Sequence, residues 1–192
     1  MVCLLVTSLL LLTGSPALSA DSLSDFDRRA LRDAEECRAQ IVDQFELLLT
    51  SGQLSMAQLF DTFYIPIPNT NPQKFHTQYD QKVDGILRPI LDGCLARSKR
   101  YIFVVAVDRN GYLPTHNTKY SQPLTGNPDV DLKRNRTKRI FNDRTGLAAA
   151  RNTKPYLIQH YTRDTGEIMT DLSVPIVVRG RHWGALRFGY RK

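Results

Sequence analysis

Residues 101–117, YIFVVAVDRNGYLPTHN, decide how this chain is read, together with NRTKRIFNDRTG at 135–146 and YLIQHYTRDTGEIMTDLSVPIVVRGRHWGALRFGY at 156–190. Short apolar runs alternate with turn dipeptides, and a dense basic segment interrupts them. YIFVVAV, bounded by Arg100 and Asp108, suits a central strand. DRNG suits a hairpin, because Asn110-Gly111 readily supplies positive φ, and YLPTHN then reads as a return strand limited by Pro114. PYLIQHYTR, EIMTDLSVPIVV and ALRFGYR read as three more strands, joined through DTG and RGRHWG. The pattern predicts an antiparallel sheet with a long loop, residues 118–151, decorated over one face. Loops of that length are commonly functional.

Working back toward the N-terminus, residues 21–60 carry Leu31, Ala34, Ile41, Phe45 and Leu48 at helical spacing, so a long helix is expected, broken at Gly52. YIPIPNTNP holds three prolines and reads as an extended connector. Residues 77–98 return to a helical pattern, with a kink or break expected at Pro89. The fold class is therefore α+β. The expected organisation is a signal segment over 1–20, a helical region and connector over 21–75, and a sensor-like domain over 76–192.

Residues 1–12 are almost wholly apolar and are followed by Pro16 and the small residues Ala17, Ser19 and Ala20. That resembles a secretory signal, though no Lys or Arg precedes the apolar core. The alternative is an uncleaved anchor, for which the run is short. Export implies a periplasmic location and an oxidising compartment, in which Cys37 and Cys94 form an even pair available for a disulfide. No CxxC or CxxCH occurs, so a redox pair and covalent haem are not supported. The 192 residues carry a net charge of +7, which favours an anionic partner. Nucleic acid is disfavoured by export and by the lack of aromatics interleaved with the basic loop.

The ordered set DRNGYLPTHN, NRTKRIFNDRTG, QHYTRDTGE, DLSVPI and GRHWGALRFGY resembles the extracytoplasmic sensor domain of bacterial methyl-accepting chemotaxis receptors, of the Cache or periplasmic PAS-like group. The resemblance covers residues 75–192. It implies a long N-terminal helix packed on a five-stranded antiparallel sheet, with a small-molecule pocket between the sheet and its loop. It also implies ligand sensing without catalysis and output through a membrane signalling partner, and leaves dimerisation through the N-terminal helix open. Some relatives carry a covalent haem, but without CxxCH that feature is not carried over and no cofactor is expected. The sequence ends two residues after Tyr190, before the transmembrane, HAMP and signalling segments of such receptors. A free-standing sensor is expected, with a truncated receptor or a small periplasmic enzyme acting on an anionic substrate as alternatives.

Candidate binding residues follow from chemistry. The segment 133–144 concentrates Lys133, Arg134, Arg136, Lys138, Arg139 and Arg144. Arginine's planar fork can hold a ligand carboxylate by two parallel hydrogen bonds, or the cluster can be a solvated basic turn. Asp171 lies inside an apolar strand, where a carboxylate needs a partner. It either receives a ligand ammonium, as in related sensors that bind amino acids, or pairs with an arginine of the basic loop. His116 and Asn117 are placed at the pocket mouth, His182 and Trp183 in a hairpin as a stacking wall, and Tyr112 and Tyr161 on neighbouring strands. Each of these six also has an ordinary structural reading. The histidines at 76, 116, 160 and 182 have no metal-ligand spacing, so no metal is expected.

Overall fold

A computed structural model of the chain describes residues 23–162 and 168–191. The expected signal segment and the DTG turn lie outside the described residues. The first helix, α1 (Asp25–Thr50), begins at Ser24, whose side chain and that of Asp27 cap each other's backbone N–H groups. Its stripe Ala30, Ala34, Cys37, Ile41, Phe45 and Leu48 is buried at three- and four-residue spacing. A short helix, α2 (Met56–Leu59), is followed by a proline-rich hairpin of β1 (Ile65–Ile67) and β2 (Lys74–His76). Helix α3 (Asp80–Ala96) continues through Pro89, so the expected break does not occur there, and its buried apolar face is Val83, Leu87, Leu91 and Cys94. A disulfide joins Cys37 of α1 to Cys94 of α3.

The main sheet contains β3 (Tyr101–Asp108), β6 (Leu157–Thr162), β7 (Ile168–Val178) and β8 (Arg181–Tyr190), in the order β3-β8-β7-β6, with every neighbour antiparallel. The β7–β8 hairpin turns on Arg179 (φ 49°) and Gly180 (φ 75°), both left-handed, as a two-residue turn matching strand twist demands. Pro175 is tolerated in β7 because β6 pairs only as far as Ser173, so no donor is required beyond it.

The sheet is two-faced. Val104, Ala106, Leu172, Val174, Ile176, Leu186, Phe188 and Tyr190 point to the helices and form the main core with α1 and α3. Phe103, Val105, Val107, Asp171, Ser173 and Arg187 lie on the opposite face by strand alternation and register. The core side of such a sheet supplies most of the folding free energy, since burying one large aliphatic or aromatic side chain contributes roughly 1.5–3 kcal/mol.

The expected fifth strand is not in this sheet. The turn at 108–111 closes with Gly111 N–H donating to the Asp108 carbonyl (2.9 Å), but the chain then leaves β3. Residues Tyr112–Leu113, β4, pair instead with β5 (Arg139–Ile140) inside the long loop. Gly111 makes this close approach feasible, because a Cβ there would lie 2.3 Å from the Phe141 carbonyl oxygen. The edge of β3 is covered by a side chain: Asn117 accepts from Val104 N–H (2.9 Å) and donates to the Leu91 carbonyl (3.0 Å).

The loop is also more structured than its sequence implies. It contains a 3-10 turn (Thr118–Tyr120), α4 (Pro128–Arg134) and α5 (Arg144–Arg151), the last capped by Asp143. It folds back over the second face of the sheet as a flap. Buried Lys74 fastens it, donating to Asn135 O (3.1 Å), Asn135 Oδ1 (2.7 Å) and Thr137 O (2.7 Å). Lys138 adds an ion pair to the buried Asp80.

Candidate functional site

Between the flap and the sheet lies a cavity of about 460 Å³, within the size range of small-molecule pockets. Its floor is Phe103, Val105 and Val107 of β3 with Arg187 of β8. The register places Phe103 opposite Gly189 and Val105 opposite Arg187. Gly189 leaves room for the Phe103 ring to lie across β8, because a Cβ at that position would be 2.1 Å from Phe103 Cε1. The flap supplies Leu113, His116, Tyr120, Arg136 and Phe141 as the opposite wall. Exposed Asp143, Arg144 and Thr162, with Thr145 and Tyr161, complete the mouth.

Three arginines reach this space and each is held differently. Arg187 is anchored, with Nε and Nη2 donating to Asp171 Oδ2 at 3.1 and 2.6 Å. Burial works against its charge, but the Asp171 carboxylate outweighs burial and holds the guanidinium well ionised. Arg136 stands 5.2 Å from the centre of the Phe141 ring. Arg144 sits at the mouth as the first residue of α5. Against these stands Asp143, whose Oδ1 is engaged by Gly146 N–H at 3.0 Å. The wall is therefore net positive.

His116 is neutral. Burial lowers its pKa far below the usual imidazole value, with Arg136, Lys119 and Arg139 pushing the same way. Its Nδ1 accepts from Asn117 N–H (2.7 Å), which leaves the ring proton on Nε2 as a donor. The ring packs edge-on against Tyr120 (4.7 Å) and Phe103 (6.4 Å).

Of the residues singled out from sequence, the fold brings His116, Arg136, Arg144 and Tyr161 to the cavity. The others serve elsewhere. Tyr112 is a core residue whose hydroxyl donates to Phe75 O (2.8 Å). Asn117 covers the β3 edge, as described above. Lys138 has φ +58° and pairs with Asp80. Arg139 lies 5.0 Å from the Phe141 ring and does not line the cavity; burial and Arg136 push it down to about 10, so it stays charged. Trp183 is the extra residue of a β-bulge, since the register steps from Ile176↔Gly184 to Val177↔His182. That bulge turns the indole into the helix-side core, where it packs 5.0 Å from Phe45 and donates to Leu59 O (3.0 Å). His182, beside it, does not line the cavity, and burial lowers its pKa.

Asp171 lies on the flap side of the sheet but is completely buried. Its partner is neither a ligand nor a flap arginine but Arg187, on the neighbouring strand. Arg187 is a cavity-lining residue that the sequence reading did not single out. The sequence shows only a second charge inside an apolar strand, in ALRFGY; the register set by the turn would put it on the opposite face from Asp171, and the bulge at Trp183 brings the two together.

Among the described residues no cluster of three His, Cys, Asp or Glu side chains could hold a metal, and no helix is long and apolar enough to cross a membrane. No protein-family model matches the chain, and no curated protein matches it. Among solved structures, an extracellular ligand binding receptor from Desulfohalobium retbaense aligns over 88% of this chain at 14% identity, with a TM-score of 0.41. The chain spans 26% of that receptor's length. A likeness at that score does not establish a shared fold.

Proposed function

We propose that this chain is a Cache-type, extracytoplasmic sensing module whose flap-covered cavity binds a small organic acid, as a simple carboxylate or an amino acid. The observation that carries the reading is the cavity itself, a half-apolar space walled by three arginines against one carboxylate. Arginine in a partly dry site favours planar oxyanions, because charge-assisted forked hydrogen bonds are strongest there. A binding role rather than a catalytic one is supported by the state of the titratable groups. The arginines transfer no protons at neutral pH, His116 is held neutral, and Asp143 caps a helix. Closure of the flap on ligand would load β3 and β8. The latter ends at Tyr190, whose hydroxyl donates to Asp27 at the start of α1 (2.5 Å). Occupancy would reach a second copy or a membrane partner through α1.

A thermal-shift screen of organic acids and amino acids tests this. A ligand at a hundred times its Kd stabilises by about 2.7 kcal/mol, a rise of roughly 5–11 °C for a domain of this size. Arg136→Ala with Arg144→Ala should at least halve the rise and leave the unliganded melting temperature within a few degrees. No response to any acid, or a full response in the double variant, would contradict the proposal.

A further inference from the structure

Resting on that reading, we infer that the site selects a monocarboxylate with an apolar body and discriminates against the matching α-amino acid. An ammonium group needs an anionic or strongly accepting partner inside the site. Asp171 is the one carboxylate beneath the floor, and it is 0% exposed. Arg187 takes both of its oxygens, Nε at 3.4 Å from Oδ1 and at 3.1 Å from Oδ2, and Nη2 at 2.6 Å from Oδ2. Asp143, at the mouth beside Arg144, is bound through Oδ1 to Gly146 N–H, and its charge already acts on Arg187 and helps keep it ionised.

A carboxylate meets the opposite situation. Arg187 spends two of its three nitrogens on Asp171, and Nη1 makes no hydrogen bond to any described residue. Its side chain keeps 9% of its surface open, at the cavity floor. The Asp171 pair fixes the fork in place, and the Phe103 ring lies 6.0 Å from the guanidinium carbon. A donor already immobilised loses little entropy when an anion binds. Around it the floor and flap offer Phe103, Val105, Val107, Leu113 and Phe141, side chains that reward an aromatic or branched body and give an ammonium no hydrogen-bond acceptor. The acid therefore seats on Nη1, and the body runs along β3 under Phe141.

The test uses matched pairs in calorimetry at pH 7: 3-phenylpropionate against phenylalanine, 4-methylpentanoate against leucine, and 3-phenylpropionamide as the uncharged control. At least one carboxylate should bind at least tenfold more tightly than its amino acid, and the amide should not bind detectably. An amino acid that binds as well as its carboxylate overturns the inference while leaving the sensing proposal intact. Silence from both apolar acids, with binding by other acids of the wider panel, does the same. Silence from every acid ends both. Removing Arg187 alone would strand a buried carboxylate and unfold the chain, so the pair is replaced together as Asp171→Leu with Arg187→Met. That variant should keep its circular dichroism and melting transition while carboxylate affinity falls at least tenfold. Unchanged affinity in a folded double variant refutes the seat on Arg187.

Discussion

Substituting Gly189 with alanine tests the cavity floor without touching a charge. The new methyl would stand 2.1, 2.4 and 2.6 Å from Cε1, Cζ and Cδ1 of Phe103. Ordinary carbon contact begins near 3.5 Å, so the ring must retreat by about 1.4 Å. Strand β8 lies behind it, and the open direction is the cavity. Overpacking of this kind costs roughly 1–3 kcal/mol. For a domain of this length that lowers the melting temperature by about 2–12 °C. The ring would also fill part of the space a ligand needs, so affinity falls with stability. The assay is a double-mutant cycle on thermal and urea unfolding, with Gly189→Ala, Phe103→Leu and both together. Leucine has no ring to collide, so the pair should recover about 1–2 kcal/mol relative to additivity. Gly184→Ala is the control, because its Cβ would meet Val107 O at 2.0 Å and Asp108 Cα at 2.6 Å, and backbone cannot rotate aside. No side-chain change should rescue it. A cycle at Gly189 and Phe103 that is additive within about 0.5 kcal/mol would refute the steric account of the floor.

Three further outcomes are expected. Burial, with Arg139 next, pushes Lys74 down to about 8 in the folded chain against 10.5 unfolded. The unfolded chain thus holds more protons between those values, so this group's contribution to stability is flat below pH 8 and rises from there to about 10.5. Lys74→Met should remove that rise, and a wild-type-minus-variant difference that stays flat across the window contradicts it. Reducing the Cys37–Cys94 bridge, which closes a separation of 57 residues, should destabilise the fold by about 4 kcal/mol on chain-entropy grounds, measured by urea unfolding with and without reductant. A loss under 1 kcal/mol would mean the tie between α1 and α3 does little. Tyr190→Phe removes the hydroxyl donated to Asp27 and should cost roughly 1.5–3 kcal/mol, with hydrogen exchange rising first at the start of α1. Uniform exchange would show that the contact does not hold that end of the helix.

Much of this architecture could be read from local pattern, because local pattern is what set it. The α1 stripe and the apolar run of β3 each satisfy a requirement within a few residues, while of the RGRHWG connection only Arg179-Gly180 forms the turn and Arg181 already begins β8. What escaped reading depends on distant partners. The return strand after Gly111 was lost to β5, and its place beside β3 fell to the Asn117 side chain. Trp183 left the cavity side because a bulge shifts register by one residue. Lys74, in a proline-rich hairpin, is buried by a flap some sixty residues later in sequence. At the site, the basic loop was visible as a cluster, and two of its six cations, Arg136 and Arg144, line the cavity. The apolar floor was not legible, because the alternation that marks a strand does not say which face meets helices and which meets a flap.

Chemical-shift mapping of valine and leucine methyls during titration with a bound carboxylate addresses the central claim most directly. The two faces of the sheet provide the contrast, with Val105, Val107 and Leu113 bordering the cavity and Val104, Leu172 and Leu186 facing the helices. Saturable shifts concentrated on the first set are the predicted result. Shifts confined to the second set, or spread over exposed methyls such as Leu47 and Val177, would place the ligand elsewhere and contradict the account.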